Sequence, residues 1–185
     1  MENNKLVILG HINPDIDSIV SGILLEYYFN KHTKYEAEFV IPDERIDNDT
    51  EKICKSNNID YKTHQRQLTK DDNQIILVDH NERDIEGAKI IAIYDHHPTT
   101  KQNYCPVYHN KIISSTAALL VEGRESYFPK ELIELAVLAT FIDTASFNST
   151  KAQEKDKIWA YEMIRIFKFD QDKLYQTGLS LTDTT

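Results

Sequence analysis

Apolar residues gather along this chain in two ways, as short unbroken runs and as longer stretches with helical spacing. Residues 5–9 (Lys-Leu-Val-Ile-Leu), 74–78 (Gln-Ile-Ile-Leu-Val) and 89–94 (Lys-Ile-Ile-Ala-Ile-Tyr) are aliphatic at nearly every position, and residues 38–41 form a more mixed run. Strands that are apolar at every position are covered on both faces, which is the habit of a parallel sheet. Helical patterns span residues 18–30, 49–57, 115–122, 129–141 and 153–167. Ser18 is placed to cap the first of these, and Pro129 suits the first turn of the fourth. The alternation predicts an α/β fold with a mainly parallel central sheet flanked by helices on both faces, Rossmann-like in layout.

A chain of 185 residues, 41% hydrophobic, suffices for one well-buried core. One domain is expected over residues 1–170. The more polar segment 171–185 reads as a tail, either a fraying final helix or the start of a linker to a second domain outside these residues. A net charge of −9 argues against nucleic acid or an anionic membrane as partner, and an acidic protein that handles phosphate needs metal. The polar residues before Lys5 carry no signal-peptide core, and no apolar run approaches about 18 residues, so a cytoplasmic protein is expected. Cys54 and Cys105 form no CxxC pattern and read as ordinary reduced thiols. An exposed sheet edge would allow two copies to pair as a homodimer.

The chemistry sits where strands should stop, which is where open α/β sheets place their ligand crevices. After the first strand comes Gly10-His-Ile-Asn-Pro-Asp-Ile-Asp-Ser18. In an extended stretch Asp15 and Asp17 point the same way, toward one metal or two adjacent ones. Alternatively, the segment is an Asx turn in which Asp17 or Ser18 caps the helix. Asp79, in Val78-Asp-His-Asn-Glu82, emerges at the end of a central strand, where an unpaired carboxylate is costly and a divalent cation relieves it. His80 either ligates or holds a neighbouring ligand. In Asp95-His96-His97 the adjacent imidazoles diverge, so that one can bind metal while the other faces substrate. Asp143 closes an apolar helical stretch, where the macrodipole disfavours an anion unless a metal neutralises it. His32, His64 and His109 read as ordinary surface or loop residues.

This ordered set, with Ile142-Asp-Thr144, resembles the DHH phosphoesterase superfamily, and within it the N-terminal, metal-binding domain of the family II manganese-dependent inorganic pyrophosphatases. His11-Ile-Asn-Pro-Asp-Ile-Asp-Ser-Ile19 and Val78-Asp-His-Asn-Glu82 carry that distinction, because oligoribonuclease-like members usually begin with Asp-Gly-Asp-Ala. Ser114-Ser-Thr-Ala117 before a helix is a supporting match. The resemblance implies that His11, Asp15 and Asp79 hold one metal and that Asp17, Asp79, His96 and Asp143 hold the other. It further implies that His97 acts on the substrate phosphate and the leaving group, with His80 beside it and Ser115 as a substrate contact. Mn²⁺ is the implied ion, with Co²⁺ and Mg²⁺ as alternatives; mixed imidazole and carboxylate donors suit the first two better. The implied reaction is hydrolysis of pyrophosphate, or of another small phosphoanion, by a metal-bridging hydroxide.

Full-length members of that family continue into a second domain with a Ser-Arg-Lys cluster that clamps the substrate. Lys151, Lys155, Lys157, Arg165 and Lys168 do not reproduce it and read as a solvated face. Weak or absent turnover is therefore expected of these residues alone. The rival readings are a related phosphoesterase acting on short polyphosphate or nucleotide phosphoesters, and a non-catalytic domain that binds metal or nucleotide.

Overall fold

A computed structural model of the chain describes residues 3–99 and 105–181. Its elements, in order, are β1 (Lys5–Leu9), α1 (Ile16–His32), β2 (Glu36–Val40), α2 (Asn48–Ser56), β3 (Gln74–Val78), β4 (Lys89–Asp95), β5 (Val107–Asn110), α3 (Thr116–Val121), α4 (Lys130–Asp143), α5 (Glu154–Phe167) and α6 (Gln171–Leu179), with two short 3-10 turns between them. The five strands form one sheet in the order β2-β1-β3-β4-β5, with every neighbouring pair parallel. Because all strands run the same way, their carboxyl ends share one edge. The path from β1 goes outward to β2 and then returns past β1 to β3, so a crevice opens between the ends of β1 and β3.

Alternate residues divide the core in two. Leu6, Ile8, Phe39, Ile76 and Val78 pack with the buried faces of all six helices. Val7, Leu9, Val40, Ile75, Leu77 and Ile93 form the opposite layer, closed by Leu68, Ile85, Ala88 and Cys105. Helical cover is therefore concentrated on one face rather than shared between both. The connection from β3 to β4, with Asn81-Glu-Arg-Asp84 in it, has no helical apolar spacing and lies down as a loop.

One element departs from the sequence expectation, and a second decides between two readings of it. β5 lies where no strand was anticipated, because its four residues are partly exposed at the sheet edge and lack an aliphatic run. His109 accordingly sits in a strand, stacked on Tyr94 at 5.1 Å. Residues 171–179 form α6, the final helix that is one of the two readings of this segment, capped by the Asp170 carboxylate and fixed on α4 by buried Leu174; positions 182–185 lie outside the described residues. Among the described residues, no helix is long and apolar enough to cross a membrane. Cys54 is buried, Cys105 half-buried, and both are free.

Gly22 marks the closest approach of α1 to the sheet, since a Cβ there would lie 2.3 Å from the Phe39 ring. Alanine in a helix interior ordinarily stabilises by about 1 kcal/mol relative to glycine. Here Phe39 is fully buried and cannot yield. Gly22→Ala is expected to lose about 1–3 kcal/mol by overpacking, read as a lower midpoint in urea denaturation.

Candidate metal centre

The donor groups of the three motifs reach the crevice because their segments follow parallel strands: His11 to Asp17 come after β1, Asp79 after β3, and His96 and His97 after β4. Asp15 is the N-cap of α1, its carboxylate accepting the Ser18 amide at 3.0 Å, so the cap falls on Asp15 and leaves Asp17 free to turn inward. Gly10 lets this loop close: a Cβ there would meet the Ser18 hydroxyl at 2.1 Å. Asp79 takes a left-handed backbone (φ 61°) immediately after β3, a conformation Asp tolerates better than most residues and one that turns its carboxylate into the crevice.

Three groups of donor atoms result: His11 with Asp15 and Asp79; Asp17 with His96 and Asp143; and Asp79 with His96 and His97. His11 Nε2 lies 3.5 Å from Asp15 Oδ1 and 3.6 Å from Asp79 Oδ2. His96 Nε2 lies 3.6 Å from Asp17 Oδ2, 3.4 Å from Asp79 Oδ1 and 3.5 Å from Asp143 Oδ2. These separations lie at or beyond the long limit of a hydrogen bond and approach the roughly 3.0–3.4 Å between donors that share one cation at about 2.1 Å. Both imidazoles are oriented from behind, through Nδ1 contacts of 2.9 Å from His11 to the Ile12 carbonyl and 3.0 Å from His96 to the Ile113 carbonyl. With those Nδ1–H groups donating, each Nε2 is left as a lone-pair donor facing the acids. Among the described residues neither His96 Nε2 nor Asp143 Oδ2, both buried, has a hydrogen-bond partner, which fits atoms that donate to a cation. The mixed nitrogen and oxygen donor set fits a divalent transition ion such as Mn²⁺.

The remaining atoms of the cluster are held by the chain near α3. Asp17 accepts the amides of Thr116 and Ala117, each at 2.9 Å, and Asp79 Oδ1 accepts the Thr116 hydroxyl at 2.9 Å. Sequence reasoning missed this cradle, which joins residues about 100 positions apart. Burial, then the charges of Asp79 and Asp143, push the Asp17 carboxyl well above its ordinary range. Burial and the charge of Asp15 do the same to Asp79. Asp15 moves the other way: burial opposes ionisation, but the bond and charge of His11, the Ser18 amide and the charge of Lys151 outweigh it.

His97 is turned toward solvent, 47% exposed, with Nδ1 2.7 Å from the fully buried Asp95 and 3.8 Å from Asp79. Asp95 also accepts the His96 and His97 amides and the Asn81 side chain, and these bonds hold its carboxyl low in spite of burial. His80 falls outside the three groups: its Nδ1 bonds the Val78 carbonyl at 2.9 Å, and burial, with the nearby charge of Arg83, keeps the ring neutral. Ser115, anticipated as a substrate contact, is fully buried; its hydroxyl caps α3 and bonds Thr140 at 2.8 Å, leaving none of it for an anion.

The sequence places Lys151 on a solvated face, yet its Nζ lies 3.0 Å from Asp143 Oδ1. Ala145, Ser146 and Phe147 are all left-handed (φ 49°, 54° and 65°) and reverse the chain directly after α4. Ser146 is fixed there by its amide on the Phe141 carbonyl at 2.7 Å, and Phe147 by its ring on Phe141. No local pattern announces such a turn. Arg83, likewise unremarked in the sequence, donates to the Gly10 carbonyl at 2.8 Å beside the first motif.

Residues 5–140 match the DHH family, N-terminal domain. The chain is 29% identical over 178 residues to a manganese-dependent inorganic pyrophosphatase of Methanocaldococcus jannaschii, a match covering 86% of this chain and 54% of that protein. It is also 29% identical over 182 residues to one of Methanothrix thermoacetophila, covering 92% of this chain and 57% of that protein. Among solved structures, a Methanococcus jannaschii protein assigned to the family II inorganic pyrophosphatases superimposes with a TM-score of 0.70 at 27% identity, over 95% of this chain and 59% of that one. The chain thus spans between about half and three fifths of the length of the relatives it matches.

Proposed function

The chain belongs to the DHH family, and on that premise we propose that it is the metal-holding half of a manganese-dependent inorganic pyrophosphatase. The observation that carries the reading is Asp79, whose two oxygens face His11 on one side and His96 on the other, so that it stands in both halves of the donor cluster. His11, Asp15 and Asp79 would hold one ion, and Asp17, Asp79, His96 and Asp143 the second. A divalent pair supplies Lewis acidity, neutralising charge on phosphoryl oxygens and acidifying water for attack at phosphorus.

The chain's own residues do the rest. Thr116 and Ala117 keep Asp17 from rotating. The Asp95–His97 bond fixes an exposed imidazole at the rim, where Nε2 can hydrogen-bond a phosphoryl oxygen and deliver a proton to the departing phosphate. Lys151 and Arg83 place two positive charges on the rim of an otherwise acidic site, where an anion must approach. Slow turnover is expected of these residues alone, because Lys151 and Arg83, the rim cations among the described residues, orient pyrophosphate less well than a built clamp.

Phosphate release from pyrophosphate, tripolyphosphate and a short oligonucleotide, each with Mn²⁺, tests the reading. Preference for pyrophosphate is the expected result, and preference for either alternative would overturn it. Lys151→Gln should have opposite effects on the two ligands. Mn²⁺ binding tightens about threefold because a competing cation leaves Asp143, while KM for pyrophosphate rises by a similar factor. Calorimetric titration and initial rates read the two separately.

A further inference from the structure

The donors of the two ion positions are held from different sides of the crevice. On one side a single strip, residues 113–117, reaches three donors of the second position. The Ile113 carbonyl orients His96 through Nδ1 at 3.0 Å, the Thr116 and Ala117 amides donate to Asp17 at 2.9 Å each, and the Thr116 hydroxyl donates at 2.9 Å to Asp79 Oδ1, the oxygen that faces His96. The strip is pinned in turn at fully buried Ser114, whose amide donates to Asp156 Oδ2 at 2.7 Å and whose hydroxyl accepts the Gln153 amide at 2.8 Å. Both ties come from the start of α5, and the connection that leads there leaves α4 at Asp143, the remaining donor of that position. His11 and Asp15 take their bonds from their own loop, at the Ile12 carbonyl and the Ser18 amide. Asn13, left-handed at φ 52°, clasps that loop to the chain after β2: its amide donates to Asp43 Oδ1 at 3.0 Å and its side-chain oxygen accepts the Asp47 amide at 3.1 Å.

We propose that the two ion positions are braced independently, with Ser114 as the positioning residue of the second and Asn13 as that of the first. The proposal rests on the metal reading above. Partners that orient a metal donor set affinity by holding it where the ion needs it, and here one backbone segment carries the partners of His96, Asp17 and Asp79 Oδ1 together. Removing a tie at Ser114 therefore lets all three drift at once. The strip is buried, so water does not readily replace a lost bond. His11 and Asp15 stay where their loop and the clasp on Asp43 and Asp47 keep them, since neither bond passes through the strip. Loosening the clasp at Asn13 should do the converse.

Two backgrounds separate the positions: His11→Ala cripples the first and leaves the second to be read, and His96→Ala does the reverse. Mn²⁺ titrations of each, followed by the paramagnetic resonance signal of unbound ion, give the two affinities. In the His11→Ala chain, Ser114→Ala and Asp156→Ala are each expected to weaken Mn²⁺ binding about fivefold, somewhat less than the 10–100-fold typical of losing a ligand's direct partner. Asp156→Asn, which keeps an oxygen to accept the Ser114 amide, should return to within about twofold. In the His96→Ala chain the same three substitutions should change affinity by less than about twofold. Asn13→Gly, which keeps the left-handed backbone but frees the Asp47 amide, should weaken binding about threefold in the His96→Ala chain and leave the His11→Ala chain unchanged. General destabilisation would lower both affinities together, so the selectivity is what distinguishes positioning from fold. Should Asp156→Ala fail to fold, Ser114→Ala and Asn13→Gly carry the test. Equal loss at both positions, or none at either, overturns the proposal while leaving the metal site standing. No Mn²⁺ binding by the unaltered chain removes both.

Discussion

Replacing Asp79 with asparagine is expected to weaken Mn²⁺ binding by more than about a hundredfold while leaving the metal-free fold intact. Losing a partner that merely orients a ligand costs about 10–100-fold, and Asp79 is placed to be a ligand to both ions. Asparagine keeps the shape, tolerates the left-handed backbone at φ 61° and still offers Thr116 an acceptor, so nothing else in the crevice need move. What disappears is one negative charge and the ability of two equivalent oxygens to face His11 and His96 together. Any pyrophosphate hydrolysis should fall by about 10³-fold or more, because positioning and charge neutralisation fail at the same time. Because Asp79 is buried among other acids, the metal-free variant should melt at the same temperature or slightly higher. Calorimetric titration, phosphate release and thermal melting read the three effects. Mn²⁺ affinity within about tenfold of the unaltered chain would show that the two halves of the cluster do not share this residue.

The second large effect is stabilisation by metal, and it should grow with pH. An ion that binds only the folded chain adds about 2.7 kcal/mol at a hundredfold excess over Kd and about 4 kcal/mol at a thousandfold. For a domain of this size that raises Tm by about 5–15 °C. Without metal, the cluster is a liability that pH controls. Asp17 and Asp79 have carboxyls raised above the ordinary value of 3.8, so the folded chain holds their protons more tightly than the unfolded one. Their contribution is complete below about pH 4 and is lost as pH rises through the raised values. His11 acts in the same sense: burial lowers it, but the bond and charge of Asp15 prevail and raise it above 6.5. Its contribution is present below about pH 6.5 and is lost as pH climbs past the raised value. Asp15, held low, loses its contribution only in acid, below the carboxylate range. The metal-free chain should therefore melt lower at about pH 8 than at about pH 5.5, and Mn²⁺ should restore more at the higher pH, where it competes with fewer protons. Melting curves with Mn²⁺ and with a chelator at both pH values measure this. An increment independent of pH would mean that the ion binds away from these acids.

How much of this was legible in the sequence depended on how local each feature is. β1, β3 and β4 could be read almost to the residue, because a strand covered on both faces must be apolar at every position. The acids and imidazoles at their ends could be read with them, since parallel strands bring their carboxyl termini to one edge. β5 was not legible because an edge strand of four half-exposed residues carries no such signature. α6 was only half legible, open between a final helix and a linker, because a polar helix is held mainly by what lies beneath it, here α4.

By itself, then, the order of apolar runs determined the α/β class and set the motif residues at the ends of parallel strands, for both follow from strand period and direction, while their sharing-out between two ions came only from a family resemblance. Only the folded chain decided that Thr116 and Ala117 restrain Asp17, that Asp156 stands behind them, that Ser115 is buried, and that a left-handed turn returns Lys151 to Asp143. The reason is physical. Periodicity along a chain reports which face of an element avoids water, whereas a buried carboxylate must be satisfied by whatever donor the packing delivers, from any distance in sequence.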